Sequence, residues 1–287
     1  MQDAEKLNAS IGGSKRVAFI ACSYDTSFEP VEKQVIQKVE QLIETFGLDG
    51  KVRWSLWVVD DLPDDKAFGR AVRQGFNAVS ERIDIRNRLN LLKLKSLRPI
   101  AGGLKGRALL DGMVAALEND PDLAALVYIN LNLKVGVDFS VRGLMQVLCE
   151  GFDAAIGTRY HGDGGVIVGR GLAGNIKSLV YNYLVRKLFP PINSYYDTNA
   201  PMKAFNPAAA GLLVRCSETP TVSMDPDWLL LLHLNGYKVS RFPVAWVQRS
   251  GSRPPWQMIL PCFMDILKIR KRWKRGLMGP QGSHPDK

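Results

Sequence analysis

"RVAFIAC", residues 16–22, is an apolar run that breaks into polar residues, and apolar side chains then recur over 31–46 at Val31, Val35, Ile36, Val39, Leu42, Ile43 and Phe46. That spacing lays one apolar stripe along a helix. "RWSLWVVDD", residues 53–61, is a second short apolar run, ending in acidic side chains. Strand, helix and strand in this order predict a parallel sheet whose ligands gather at the carboxyl ends of the strands. A Gly-rich turn opens a further helix in "AGGLKGRALLDGMVAAL" (101–117), and "LAALVYIN" (123–130) and "FDAAIGTRY" (152–160) supply more strands. The whole reads as repeated α/β.

With 287 residues, 46% of them hydrophobic, the chain can bury a sizeable core. It contains no run of about 18 uncharged apolar residues, and its first ten residues lack the basic and apolar regions of a signal peptide, so a cytoplasmic protein is expected. Cys22, Cys149, Cys216 and Cys262 are scattered without metal spacing and read as reduced thiols. The formal charge of +10 favours an anionic partner. Much of the excess follows the composition shift at "RSGSRPPW" (249–256), which divides a core domain, 15–250, from a basic amphipathic tail, 251–287. In "DILKIRKRWKRG" (265–276) the basic residues mingle with Ile266, Leu267, Ile269 and Trp273. Residues 256–275 thus fit a helix lying on an anionic membrane at its inner face, or a solvated basic tail. No zinc pattern or aromatic-interleaved basic surface points to nucleic acid.

The polar residues at the expected strand ends form one neighbourhood: Ser23, Tyr24 and Asp25, then Asp60 and Asp61, then Asn130 to Lys134. A nucleotide fits there. "GGLKG" (102–106) is not a full phosphate loop, because it lacks the spacing and the Ser or Thr after Lys.

In order, the segments "CSYDTS" (22–27), "WVVDDLPDD" (57–65), "GGLKGRALLDGM" (102–113), "YINLNLKVG" (128–136), "AAIGTRYHGDGG" (154–165), "DTNAPMKAF" (197–205) and "MDPDWLLLLHLNGYKVSRFPVAWVQR" (224–249) are informative together. They resemble the motifs of family 2 inverting glycosyltransferases of the GT-A fold, especially polyprenyl (dolichyl) phosphate glucosyl and mannosyl synthases. The resemblance covers roughly residues 15 to 250. It implies a mixed, Rossmann-like sheet flanked by helices and transfer of a sugar from a nucleotide-diphosphate donor to a polyprenyl phosphate. It puts nucleotide binding on Ser23, Asp25, Asp60, Asp61 and Lys105, and acceptor-phosphate binding on Arg159 and Arg170. It implies a catalytic part for Asp197, Lys203 and Asp227. Gly174 stands where the family usually has a polar residue four positions after the second arginine, and Ala200, Pro201 and Met202 replace its "SGF" or "CGF" segment.

The family's Asp-x-Asp pair holds a divalent metal on the donor diphosphate; here Asn130 and Asn132 stand in its place. In an extended segment side chains alternate, which predicts Asn130, Asn132 and Lys134 on one face and Leu131 and Leu133 on the other. Two amides and an ammonium sum to plus one. At about 4 Å and an effective dielectric near 20, an ammonium contributes about 4 kcal/mol of attraction to a phosphate charge. The expectation is diphosphate binding by Asn130, Asn132 and Lys134, with no tightly bound metal and only a weak site for Mg²⁺ or Mn²⁺.

A polyprenyl phosphate is already anionic, so it needs positioning and leaving-group stabilisation more than a strong base. Asp225, before Pro226, reads as a helix N-cap, Asp227 as an active-site carboxylate, and His233 as structural. Two other functions fit the same residues: transfer to a soluble hydroxyl acceptor, and a catalytically silent relative that binds nucleotide or membrane.

Overall fold

The computed structural model describes residues 2–22, 30–48, 50–60, 73–75, 77–78, 88–93, 104–132, 134–247 and 259–279. Its strands are β1 (Lys15–Cys22), β2 (Val52–Asp60), β3 (Leu89–Lys93), β4 (Leu123–Tyr128), β5 (Ala154–Thr158), β6 (Val166–Val168), β7 (Lys203–Phe205), β8 (Val239–Pro243) and β9 (Ala245–Val247). The helices are α1 (Gln2–Ser10), α2 (Val31–Phe46), α3 (Lys105–Asn119), α4 (Ser140–Leu148), α5 (Leu172–Leu188), α6 (Pro207–Cys216), α7 (Met224–Leu234) and α8 (Ile259–Lys274).

Seven strands make one sheet in the order β3-β2-β1-β4-β7-β5-β8, and β6 pairs with β9 beside it. Strand β7 runs antiparallel to both neighbours, whereas β1 is parallel to β2 and β4 and β5 is parallel to β8. The sheet is therefore mixed, as expected. Because β7 is reversed between β4 and β5, the ends of β4 and β5 and the start of β7 share one edge, with Tyr128 opposite Lys203 and Lys203 opposite Ile156. That edge carries the site.

Strand alternation divides the core. Ala18, Ile20 and Cys22 of β1 join the cluster under α3, α6 and α7, and Val17, Phe19 and Ala21 join the one under α1, α2 and α4. The predicted helix over 31–46 forms, with Val35, Val39 and Leu42 fully buried. Helix α1 is an addition: nothing in the sequence reading anticipated it, yet Leu7 is buried.

Helix α8 packs on the same core. Ile266, Ile269 and Met278 are buried with α6 and α7, and Trp273 lies 6.0 Å from the Phe189 ring. Thr221 donates its hydroxyl to Asp265 at 2.6 Å, and Arg272 reaches the Cys216 carbonyl at 2.6 Å. All four cysteines are free thiols, and no described helix is long and apolar enough to cross a membrane.

Glycine explains how α3 sits. A Cβ at Gly112 would lie 2.5 Å from Ile20 Cγ2 and 3.0 Å from Val59 Cγ2, so only a bare backbone lets the helix approach β1 and β2 this closely. At Gly106 a Cβ would press on the carbonyls of Thr219 and Thr221. The glycines of "GGLKGRALLDGM" that the structure describes thus serve close packing.

Candidate active site

At the carboxyl edge, Asn130 is the joint between three elements. Its Oδ1 accepts from the Tyr128 hydroxyl at 2.7 Å and from Lys105 Nζ, at the start of α3, at 3.4 Å; its Nδ2 donates to the Pro201 carbonyl at 3.1 Å. The Tyr128 ring is fully buried, with Lys105 Nζ at 5.0 Å and Lys203 Nζ at 5.2 Å from its centroid. Burial pushes the Tyr128 phenol well above its ordinary range, so it stays a neutral donor to Asn130. Lys203 is itself fully buried, 2.8 Å from Asp225 and 2.6 Å from the Ala200 carbonyl. Burial draws its ammonium below the usual lysine range, and Asp225 opposes that shift. The N-cap expected at Asp225 is not formed: the helix begins at Met224, and Asp225 in its first turn pairs with Lys203.

A second group surrounds Trp246, which is 8% exposed. The guanidinium of Arg170 lies 4.8 Å from its ring centroid, that of Arg159 at 5.7 Å and Lys134 Nζ at 5.9 Å. Three cations thus surround one indole. Arg159 is held there by Asp197: Nε donates to Oδ2 at 2.8 Å, Nη2 to Oδ1 at 2.7 Å, and the Arg159 backbone N–H to Oδ2 at 3.0 Å. Burial alone would raise the Asp197 carboxyl, but the guanidinium and the backbone N–H groups of Arg159 and Asn199 outweigh it and hold Asp197 below the ordinary carboxylate range. Arg170 has no such partner. Its Nη1 is buried without a hydrogen bond, and burial and Arg159 together lower its pKa. Gly174 leaves room for it, since a Cβ there would sit 3.1 Å from Arg170 Cγ.

The predicted residues therefore fall into two connected groups. Asn130 and Lys105 stand together, Arg159, Arg170 and Lys134 stand around Trp246, and the 197–203 loop touches both through Asp197, Pro201 and Lys203. The single row expected of Asn130, Asn132 and Lys134 is not formed, because β4 ends at Tyr128 and the chain turns: the Asn132 Oδ1 accepts from the Lys134 backbone N–H at 3.3 Å. Ser23, Asp25 and Asp61 lie outside the described residues, and Asp60 is placed only as the last residue of β2. Asp227 looks the other way. It is fully buried, accepts from the Ser217 hydroxyl at 2.7 Å and pairs with Arg272 of α8 at 3.2 Å.

Trp246 escaped the sequence reading, although it lies in the quoted "PVAWV" segment. So did Asn182, which reaches out from α5 to organise the loop: Nδ2 donates to the Tyr160 hydroxyl at 2.9 Å, and Oδ1 accepts from the Thr198 N–H at 2.7 Å and its hydroxyl at 2.8 Å. Its helical context gave no signal.

Neither a family model nor a curated protein matches the sequence. Solved structures do match the fold. Glucosyl-3-phosphoglycerate synthase from Mycobacterium tuberculosis, crystallised with Mn²⁺, UDP and glucosyl-3-phosphoglycerate, gives a TM-score of 0.63 at 16% identity over 97% of this chain and 85% of that one. The chain has the GT-A fold. The same synthase with Mn²⁺, UDP and phosphoglyceric acid gives 0.65 at 15% identity over 97% and 84%, and with Mg²⁺ and UDP 0.64 at 15% over 93% and 83%.

These structures correct one expectation. Divalent ions accompany UDP in them, so the reading of this donor site as lacking a tightly bound metal, with Lys134 in the ion's place, is withdrawn. Among the described residues no three His, Cys, Asp or Glu side chains gather around a possible ion. Amide oxygens are hard neutral donors of a kind Mg²⁺ and Mn²⁺ accept, but the Asn130 Oδ1 already accepts from the Tyr128 hydroxyl and Lys105 and the Asn132 Oδ1 from the Lys134 N–H, so these two side chains as placed do not make a metal site.

Proposed function

We propose that the chain is a glycosyltransferase that moves a sugar from a nucleoside-diphosphate donor to a phosphate-bearing acceptor. The observation that carries this reading is the buried, unbonded Nη1 of Arg170 beside Arg159 and Lys134 over Trp246. An acceptor phosphate arriving there satisfies that donor, and a guanidinium fork suits phosphate geometry.

Donor and acceptor take different groups. The nucleotide lies along the ends of β1 and β2, where Ser23, Asp25, Asp60 and Asp61 stand, with its diphosphate toward Lys105, Asn130 and Asn132. Lys134, Arg159 and Arg170 draw in the acceptor phosphate and fix its orientation. Asp197 acts by locking Arg159, and Lys203 by holding the Ala200 carbonyl and Asp225 under the sugar region; neither is free to react with substrate. Asp227 belongs to the α8 contact.

Within this class a polyprenyl phosphate remains the finer reading, since Leu172, two residues beyond Arg170, is 77% exposed and offers apolar surface beside the phosphate corner. A small phosphorylated acceptor is favoured by a different observation: phosphoglyceric acid and glycerol 3-phosphate are the acceptor-side molecules in the similar solved structures. The deciding assay offers UDP-glucose with Mn²⁺ and each acceptor in turn, and follows release of UDP and the glycosylated product. Product from one acceptor class selects it. Nucleotide binding with no product from either leaves the silent relative.

A further inference from the structure

We infer that the outer faces of α5 and α8 form one docking surface for an anionic lipid bilayer. On α5 the exposed large apolar positions are Leu172, Ile176, Leu179, Val180, Tyr183 and Leu184, each between 51% and 77% accessible, with Lys177 and Lys187 exposed beside them. Their spacing puts them on a single stripe. A soluble protein rarely leaves so long an apolar row uncovered. The opposite face of the same helix bonds through Ser178 and Asn182 to Tyr160 and Thr198 and buries Val185 in the core.

Helix α8 continues the surface. Its exposed face carries Leu260, Phe263, Met264 and Leu267 in the first turns, then Lys268, Lys271, Lys274 and Arg275. The opposite face, with Ile266 and Ile269, is buried in the core. Phe189, just past α5, packs on Trp273 of α8 with ring centroids 6.0 Å apart, so the basic ends of the two helices, where α5 contributes Lys187, are neighbours.

Charge complementarity chooses the occupant. An apolar strip bordered by lysines and arginines matches a bilayer with anionic headgroups, whose acyl boundary takes the leucines while the phosphates meet the cations. A second copy of the chain would have to approach against a formal charge of +10 on each partner. The surface deepens the lipid-phosphate reading of the acceptor but is tested apart from catalysis.

Full-length protein is sedimented with vesicles of phosphatidylcholine alone and of phosphatidylcholine mixed with phosphatidylglycerol, without donor or acceptor. Binding to the anionic vesicles is expected. The Leu179→Glu/Leu184→Glu variant and the Lys271→Glu/Lys274→Glu variant should each weaken it roughly tenfold or more with unchanged circular dichroism, since one loses apolar contact and the other phosphate attraction. No binding by the unaltered chain, equal binding to both vesicle types, or binding undiminished in the variants would overturn the inference. So would a dimer that the Leu179→Glu/Leu184→Glu change converts to monomer, for the face would then be an interface between copies.

Discussion

Arg159 and Asp197 are joined by one guanidinium edge, through Nε and Nη2, and by a backbone N–H, in a pair 8% and 1% exposed at the side chain, across 38 residues of sequence. The carboxylate fixes the arginine at the edge of the sheet and positions the loop that leads to Lys203. Removing it as Asp197→Ala leaves a buried guanidinium uncompensated, and unfolding stability should fall by about 3–5 kcal/mol. Arg159→Lys keeps the charge without the fork and should lose only part as much. Chemical denaturation of the three proteins measures both.

The same pair sets an acid limit. The folded pKa of Asp197 lies below its ordinary value of 3.8, so its contribution to stability is present above that value and is lost as pH falls through the folded pKa. Denaturation curves between neutrality and strongly acid pH should therefore steepen in the unaltered chain below about 4, and the Asp197→Asn variant should lack that component.

Arg170 is a different kind of arginine, because its Nη1 makes no hydrogen bond among the described residues. Arg170→Ala should leave the melting temperature almost unchanged. Binding of a phosphorylated acceptor, followed by calorimetry with phosphoglyceric acid, should weaken by about 1.5–3 kcal/mol, roughly tenfold to a hundredfold.

Gly106→Ala drives a Cβ against the backbone carbonyls of Thr219 and Thr221, which cannot swing aside as a side chain can. It should destabilise by about 1–3 kcal/mol. Gly112→Ala meets side chains of Ile20 and Val59 and should cost less. Thermal unfolding ranks them.

Asp227 and Arg272 fasten α8 to α7. Arg272→Met strands a fully buried carboxylate, whose pKa burial already raises, and should destabilise by about 3–5 kcal/mol. Adding Asp227→Asn should recover much of the loss. A double-mutant cycle reads the coupling.

Much of the sheet was legible because alternation and helical spacing are local facts. Val35, Val39 and Leu42 had to share a face, and "LAALVY" had to bury both of its faces between helices. The motif order also located the edge where Lys105, Asn130, Arg159 and Lys203 meet. It did not say how they would pair. Asp197 stood in a recognised motif, but nothing near it in the chain shows that its carboxylate would be taken by Arg159. Asp227, two positions beyond Asp225, was read with it, yet a helix turns about 200° in two residues, so the first faces Lys203 and the second Arg272.

The sequence by itself determined the repeated α/β layering, the polar strand ends and the excess of positive charge, since each follows from residue type and spacing over a few turns. Only the tertiary structure decided that Lys134 leaves Asn130 to join two arginines at Trp246, that Asn182 organises the 197–203 loop, and that α8 presses its isoleucines into the core while α5 shows leucines outward. Those choices depend on which distant segments the reversed strand β7 brings to one edge. Contact between residues far apart in the chain is a property of the folded packing and has no local spacing to announce it.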